Sequence, residues 1–417
     1  MDRIQIEGNV PLCGKIKVQG AKNGALPIMA AAVLHRGMTV IKNCPRILDV
    51  EYMSEILREL GCLVWREDSA LFINAENVDG GIVRSEYATK LRASVILTGS
   101  LLGRCGRAVL PYPGGCTIGM RPIDLHLKAL TQMGAEVISA EDGLMLRTQK
   151  MRGSTIEFPF PSVGATENAI LGAVLAEGIT VLQGCAVEPE IEELCRFLCE
   201  KGACISGIGS TQLVISGVKK LKDSVHRLMS DRIVAGTYLL AAAGTRGSIS
   251  LYDVCWEHLR YLLRTLSDAG AQISAEGSEI HMDAKQAVYP VKCLVTRPYP
   301  GFPTDLQSQM MVFLSRARGI SRIEENMFES RFQIVEELKR MGADIEIEGN
   351  CAVIRGVSNL KGNFVRAREL RGGAALVSAA LMAEGRTILS GTEYIRRGYE
   401  DIVRDYTQLG ADIKETG

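Results

Sequence analysis

Six cationic side chains lie in short, irregular stretches where a strand would hand over to a helix. They are Lys22 in GAKNGALP beside Asn23, Arg92 in LRAS, Arg121 in PYPGGCTIGMRPIDLHL, Arg331 in ESRF, Arg371 in ELRGG and Arg397 in IRRGYE. Taken singly, each reads as a solvated surface charge, the usual fate of Lys and Arg. Their recurrence at equivalent junctions changes that reading, because cations gathered at one place repel one another unless anions lie between them. Arginine forks and a lysine point charge suit carboxylate and phosphate together. The set therefore points to a small substrate bearing both.

An acid and a base are also on offer. A cysteine is more often a small core residue than a reagent, and that is the reading for eleven of the twelve here. Cys116 differs: Pro113, Gly114 and Gly115 precede it and Gly119 follows, which describes a flexible, exposed loop, with Arg121 near enough to lower the thiol pKa. Asp305 follows Pro303 and Thr304 at the opening of a helix, where capping is the plain role and general base in a cleft the alternative. Asp124 and His126 divide in the same way between helix-start residues and site residues. Cys195, Cys199 and Cys204 lack the paired spacing of a zinc site and read as helix packing. The chain has no P-loop, no glycine fingerprint for dinucleotides and no HExxH, which argues against nucleotide hydrolysis, nicotinamide chemistry and zinc proteolysis.

The elements that must position these groups come from a repeat. An amphipathic helix that ends in Gly and a small residue recurs at Gly61, Gly134, Gly202, Gly270, Gly342 and Gly410, at intervals of about 68 to 73 residues. Upstream of each lies a helix poor in charge, such as ALPIMAAAVL or GGAALVSAALMAEG, apolar nearly all round and so buried. Downstream come two alternating strands around a polar turn, as in ADIEIEGNCAVIRG. The unit is strand, buried helix, strand, surface helix, hairpin. Three units around their buried helices make one α/β domain, and six make two: residues 22–229, then 230–417 with residues 1–21. Two such lobes commonly hold a small molecule in the cleft between them.

Composition bounds the function. At 417 residues the chain suits two domains. Lys+Arg and Asp+Glu are equal at 48 each, so no overall field favours nucleic acid or an anionic membrane. Twelve cysteines spread over so long a chain read as reduced thiols of a cytoplasmic protein. The opening MDRIQIEGN has no apolar signal core, and the apolar stretch from Ala25 to Leu34 is too short for a bilayer.

GAKNGALP, PGGCTIGMRPIDLHL, PSVGATEN, GFPTDLQSQ, FESRF, ELRGGAALV and RRGYE together, in that order, resemble the UDP-N-acetylglucosamine 1-carboxyvinyltransferases along the whole chain. The resemblance implies a two-domain inside-out α/β barrel of six βαβαββ repeats, with the N-terminal strand crossing over to complete the second domain. It implies transfer of the enolpyruvyl group of phosphoenolpyruvate to a sugar hydroxyl at the first committed step of peptidoglycan synthesis, without metal or organic cofactor. Carried over residue by residue, Lys22, Arg121 and Arg397 grip the phosphate, with Arg331 and Arg371 on or near the carboxylate. Asn23, Arg92, Arg121, Pro122, Ile123, Asp124, Leu125, Ser162, Val163, Gly164, Asp305 and Met327 line the UDP-sugar, with His126 alongside. Cys116 is the general acid, open to alkylation by fosfomycin, and Asp305 the base.

The chain departs from the family pattern at Val187 (Arg in the family), at Ser230 and Val234 (Pro and Glu flanking Asp231), at Arg396 (Asp) and at Glu369 (Asp), a position that the resemblance places in the substrate site as a proton-transfer or gating group. Phe160 stands where a basic residue is common. These features mark a divergent paralogue. Two rivals follow: a non-catalytic UDP-sugar binder, and the sister transferase acting on shikimate phosphate, against which the cysteine loop and the DLHL run speak.

Overall fold

The computed structural model describes residues 3–83, 86–111, 119, 122–140 and 143–417. The described residues divide into two compact units, one holding those of 3–19 and 230–417 with Gly119, the other those of 20–111 and 122–229. Each has its own continuous cluster of buried apolar side chains.

The expected repeat is present six times. In the unit that begins at Gly20 the inner helices are Lys22–Ala32, Leu97–Cys105 and Val163–Ala173, and the outer ones Leu48–Glu59, Asp124–Gln132 and Pro189–Glu200. In the other unit the inner helices are Arg232–Gly244, Gln307–Leu314 and Leu370–Met382, and the outer ones Arg260–Asp268, Val335–Arg340 and Ile402–Gln408. Small residues let the inner helices pack closely. A Cβ added to Gly99 would lie 2.3 Å from the carbonyl oxygen of Asn168, so Leu97–Cys105 reaches Val163–Ala173 only because that position is glycine.

Each outer helix stops in the same way. The six capping glycines have φ between +86° and +105°, a region costly for any residue with a Cβ. In every copy the N–H of the residue after the glycine bonds a carbonyl five residues back, as Cys62 does to Leu57 at 2.9 Å and Ala411 to Tyr406 at 3.0 Å. The glycine N–H bonds three residues back, as Gly61 does to Arg58 at 3.0 Å. Both bonds satisfy carbonyls that a helix end leaves orphaned, and the glycine turns the chain straight into its hairpin.

Each repeat's sheet places the hairpin beside the middle strand, and five of the six add a first strand in parallel on the far edge, as in the order Thr155–Glu157, Ile179–Gln183, Gln212–Ser216, Cys204–Ser206, while in repeat two a single parallel bridge from Ile82 to Val109 takes its place. Two features go beyond the simple repeat. Cys13–Lys17, the first strand of repeat one, pairs with Ser248–Tyr252 of repeat four, and Ser224–Arg227, the first strand of repeat four, pairs with Met38–Lys42 of repeat one. The first strands of these two repeats are therefore exchanged. Repeat six lacks its last strand, and Arg3–Glu7 supplies it, lying antiparallel between Arg386–Ser390 and Asp412–Thr416. Ile4 and Ile6 of that strand are 2% and 0% exposed, each contributing about 1.5–3 kcal/mol through burial.

The cysteines divide. Burial pushes the thiols of Cys62 and Cys195 up to about 12 and that of Cys185 up to about 11, which makes them inert core groups. Cys13, Cys204 and Cys293 are exposed, against the expectation of a core role for all eleven. Cys13 and Cys204 lie on sheet-edge strands, where alternation turns them outward.

Candidate active site

In the unit that contains residues 230–417, the three inner helices begin with a carboxylate. Asp231 caps Arg232–Gly244, accepting the N–H groups of Ile233 at 2.9 Å and Val234 at 3.1 Å. Glu369 caps Leu370–Met382, accepting the N–H of Arg371 at 2.7 Å and that of Gly372. Anions are stabilised at both places by the free N–H groups and the helix dipole. The extra methylene of Glu369 does not stop it from folding back as a cap.

Asp305 behaves differently. It lies in the single turn Thr304–Leu306 ahead of Gln307–Leu314. Its carboxylate is gripped by two arginines: Arg331 Nη2 donates to Oδ1 at 2.5 Å, while Arg371 donates to Oδ2 from Nη2 at 2.9 Å and from Nε at 3.2 Å. Both guanidinium groups are nearly buried, with side chains 3% and 4% exposed, whereas Asp305 is 27% exposed. Arg331 Nη1 also faces Glu369 at 3.7 Å. Removing the Asp305 carboxylate would take from two buried cations their nearest counter-charge, leaving Arg331 with Glu369 at 3.7 Å, and a broken buried pair costs on the order of 3–5 kcal/mol. Burial works against the Arg371 charge, but Asp305, Tyr399 and Asp231 outweigh it and raise its pKa above the ordinary guanidinium value. Its Nη1 is buried without a hydrogen-bond acceptor among the described residues, the kind of donor that a bound anion satisfies. Tyr399, also buried, has its phenol pKa raised by burial, with Arg371 opposing, and bonds Thr237 at 2.8 Å.

Arg397 is half-buried just after Thr392–Ile395, and Met327 is half-buried in the loop that follows strand Ile320–Glu324. Arg396, at the position of charge reversal, pairs with Glu415 at 3.0 Å on the surface. A cavity of about 320 Å³ in this unit is lined by Tyr261, Tyr299, Pro303 and Leu306 among others, and not by Asp305, Arg331, Glu369 or Arg371.

In the unit that begins at Gly20, predicted residues again occupy the starts of inner helices. Lys22 opens Lys22–Ala32 and pairs with the buried Asp49 at 3.1 Å, with Asn23 next to it. Arg92 opens the turn Arg92–Ile96 that leads into Leu97–Cys105. Ser162 caps Val163–Ala173, accepting the N–H of Ala165 at 3.4 Å, with Val163 and Gly164 in the first turn. Pro122 and Ile123 lead into Asp124–Gln132, where Asp124 is exposed and Leu125 half-buried. Cys116 and Arg121 lie outside the described residues.

His126, 7% exposed, is brought against Gly164: a Cβ there would lie 3.0 Å from its Cε1. Asn168 sets its tautomer. The Asn168 Oδ1 accepts the N–H of Gly99 at 2.6 Å, so its amide nitrogen donates to His126 Nδ1 at 3.0 Å. Nδ1 therefore carries a lone pair, and the ring proton sits on Nε2.

Sequence reasoning missed Asp49, Asn168, Thr304 and Glu325 as partners of these groups. Asn168 and Thr304 lie inside the motifs PSVGATEN and GFPTDLQSQ, so they were within reach. Asp49 and Glu325 sit in stretches with no local signal.

A family pattern described as EPSP synthase (3-phosphoshikimate 1-carboxyvinyltransferase) matches residues 6–406. The chain is 46% identical to UDP-N-acetylglucosamine 1-carboxyvinyltransferase 2 of Caldanaerobacter subterraneus subsp. tengcongensis, over 99% of both chains. The chain belongs to the carboxyvinyltransferase family. A second member, UDP-N-acetylglucosamine 1-carboxyvinyltransferase 1 of Carboxydothermus hydrogenoformans, is 45% identical over 99% of this chain and 98% of its own. The carboxyvinyltransferase fold is shared with the enolpyruvyl transferase NikO from Streptomyces tendae, at a TM-score of 0.89 and 24% identity over 100% of this chain and 99% of that one. It is shared too with EPSP synthase from Acinetobacter baumannii, at a TM-score of 0.77 and 19% identity with both chains fully covered.

Proposed function

We propose that this chain transfers the enolpyruvyl group of phosphoenolpyruvate to the 3-hydroxyl of UDP-N-acetylglucosamine and releases phosphate. The observation that carries the reading is the identity of 46% and 45% with transferases named for that acceptor, over almost the whole of both chains. The shikimate reading rests on the family pattern's description, while the EPSP synthase structure is only 19% identical and supports fold alone.

In this reading Cys116 protonates the methylene carbon of phosphoenolpyruvate, leaving cationic character at carbon two, and Asp305 takes the proton of the attacking hydroxyl. The sugar oxygen bonds to carbon two. Return of a methyl proton to the Cys116 thiolate then expels phosphate and restores the double bond. Lys22, Arg121 and Arg397 hold the leaving dianion, and Arg331 and Arg371 hold the carboxylate. Asn23, Arg92, Pro122, Ile123, Asp124, Leu125, His126, Ser162, Val163, Gly164 and Met327 serve the UDP-sugar. Because Arg331 and Arg371 already grip Asp305, a substrate carboxylate competes for the same donors and loosens the base it needs. Arg371 Nη1, buried and without an acceptor among the described residues, favours that exchange.

No helix among the described residues is long and apolar enough to cross a membrane. We assign the chain to the cytoplasm, in peptidoglycan synthesis and hence in wall growth, cell shape and division, without nucleic-acid or membrane partners. Mass spectrometry tests the assignment. The UDP-sugar is expected to gain an enolpyruvyl ether, and fosfomycin to label Cys116. An unchanged UDP-sugar overturns the function, and a label on another cysteine overturns the role of Cys116.

A further inference from the structure

Glu325 is 4% exposed, follows strand Ile320–Glu324, and has no part in the chemistry above. Its two oxygens do different things. Oε1 accepts the N–H groups of Met327 at 2.8 Å and Phe328 at 3.2 Å. Oε2 accepts the hydroxyl of Thr304 at 2.9 Å, and Thr304 Oγ1 in turn accepts Arg331 Nε–H at 3.1 Å. The direction of this chain is fixed by chemistry. A guanidinium can only donate and an ionised carboxylate can only accept, so the single Thr304 proton must point to Glu325 and its lone pair to Arg331. Arg331 is a rigid plane. Holding Nε sets where Nη2 meets Asp305, at 2.5 Å, and where Nη1 faces Glu369, at 3.7 Å. The other face of the arrangement depends on Glu325 too, since the Phe328 ring lies 5.3 Å from the guanidinium and its backbone N–H is held by Oε1.

We propose that Glu325 is a positioning residue that aims Arg331 at Asp305, through the Thr304 hydroxyl in the guanidinium plane and through the backbone of residues 326–328 on its face. Three donors on a buried carboxylate offset much of its desolvation. The loop requires one acceptor oxygen, and Glu325 spends the second on Thr304. The inference rests on the proposed function for its effect on rate, and on geometry for the state of Arg331.

The test uses Glu325→Gln, which keeps an acceptor for the two N–H groups but faces Thr304 with a donor, and Thr304→Val, which removes the relay without touching the loop. Thr304→Ser, which keeps the hydroxyl, is the rescue. With phosphoenolpyruvate and UDP-N-acetylglucosamine, Glu325→Gln and Thr304→Val are each expected to lower kcat on the order of 10- to 100-fold, the scale of a misplaced reacting group. The double variant should be no slower than Thr304→Val, and Thr304→Ser should stay near the parent. Additive losses in the double variant, or a Thr304→Val enzyme as fast as the parent, overturn the proposal. A second readout is independent of turnover: in arginine-labelled protein, the Nε–H signal of Arg331, assigned by Arg331→Lys, should exchange slowly in the parent and quickly in both variants. Unchanged exchange overturns the positioning role. A parent that shows this protection but no turnover overturns the function instead.

Discussion

At the scale of single residues, the sequence marked which groups carry charge but not how they balance. Asp305, Arg331 and Arg371 stand out by type and motif, yet their mutual grip depends on residues 26 and 66 positions apart in the chain. Lys201 carries no signal in the sequence for its surroundings. It follows Pro189–Glu200, is 0% exposed, donates to Thr39 Oγ1 at 2.9 Å and Ser224 Oγ at 3.2 Å, and lies 5.5 Å from the Phe197 ring. Burial lowers its pKa to about 8. An unfolded lysine titrates near pH 10.4, so between about pH 8 and 10 the unfolded chain binds the proton more tightly and Lys201 contributes stability that rises with pH; below about pH 8 its burial cost is fully present. Urea unfolding of the parent and of Lys201→Met across that range should show a stability difference that grows in the parent's favour as pH rises. A constant difference would mean that Lys201 does not titrate in this window.

At the scale of elements, the amphipathic helices and their glycine stops were legible because both depend on residues close in sequence. The exchange of first strands between repeats one and four was not, because strand partners are chosen by contacts across hundreds of residues; that the N-terminal strand completes the second domain was expected from the family resemblance, not from any local pattern. The capping glycines permit a graded test. At Gly202, with φ +100° and nothing within 4 Å of an added Cβ, alanine meets only the backbone preference, about 1–2 kcal/mol. At Gly61, with φ +96°, the same Cβ would also lie 2.7 Å from the carbonyl oxygen of Asn77. Gly61→Ala should therefore cost more than Gly202→Ala in urea unfolding, and a reversed order would contradict this account of the caps.

At the scale of the whole molecule, each unit repeats one motif three times and uses the repetition chemically. In the unit of residues 230–417, equivalent helix starts present Asp231, Asp305 and Glu369, of which two cap their own helices and the third is turned to two arginines. That division of labour among equal positions separates structural carboxylates from the proposed base, and no local pattern distinguishes them. The measurement that tests the central claim most directly is phosphate release from phosphoenolpyruvate by the purified protein, alone, with UDP-N-acetylglucosamine, and with shikimate 3-phosphate. The account predicts release only with the UDP-sugar; release with shikimate 3-phosphate instead, or none with either acceptor, would contradict it.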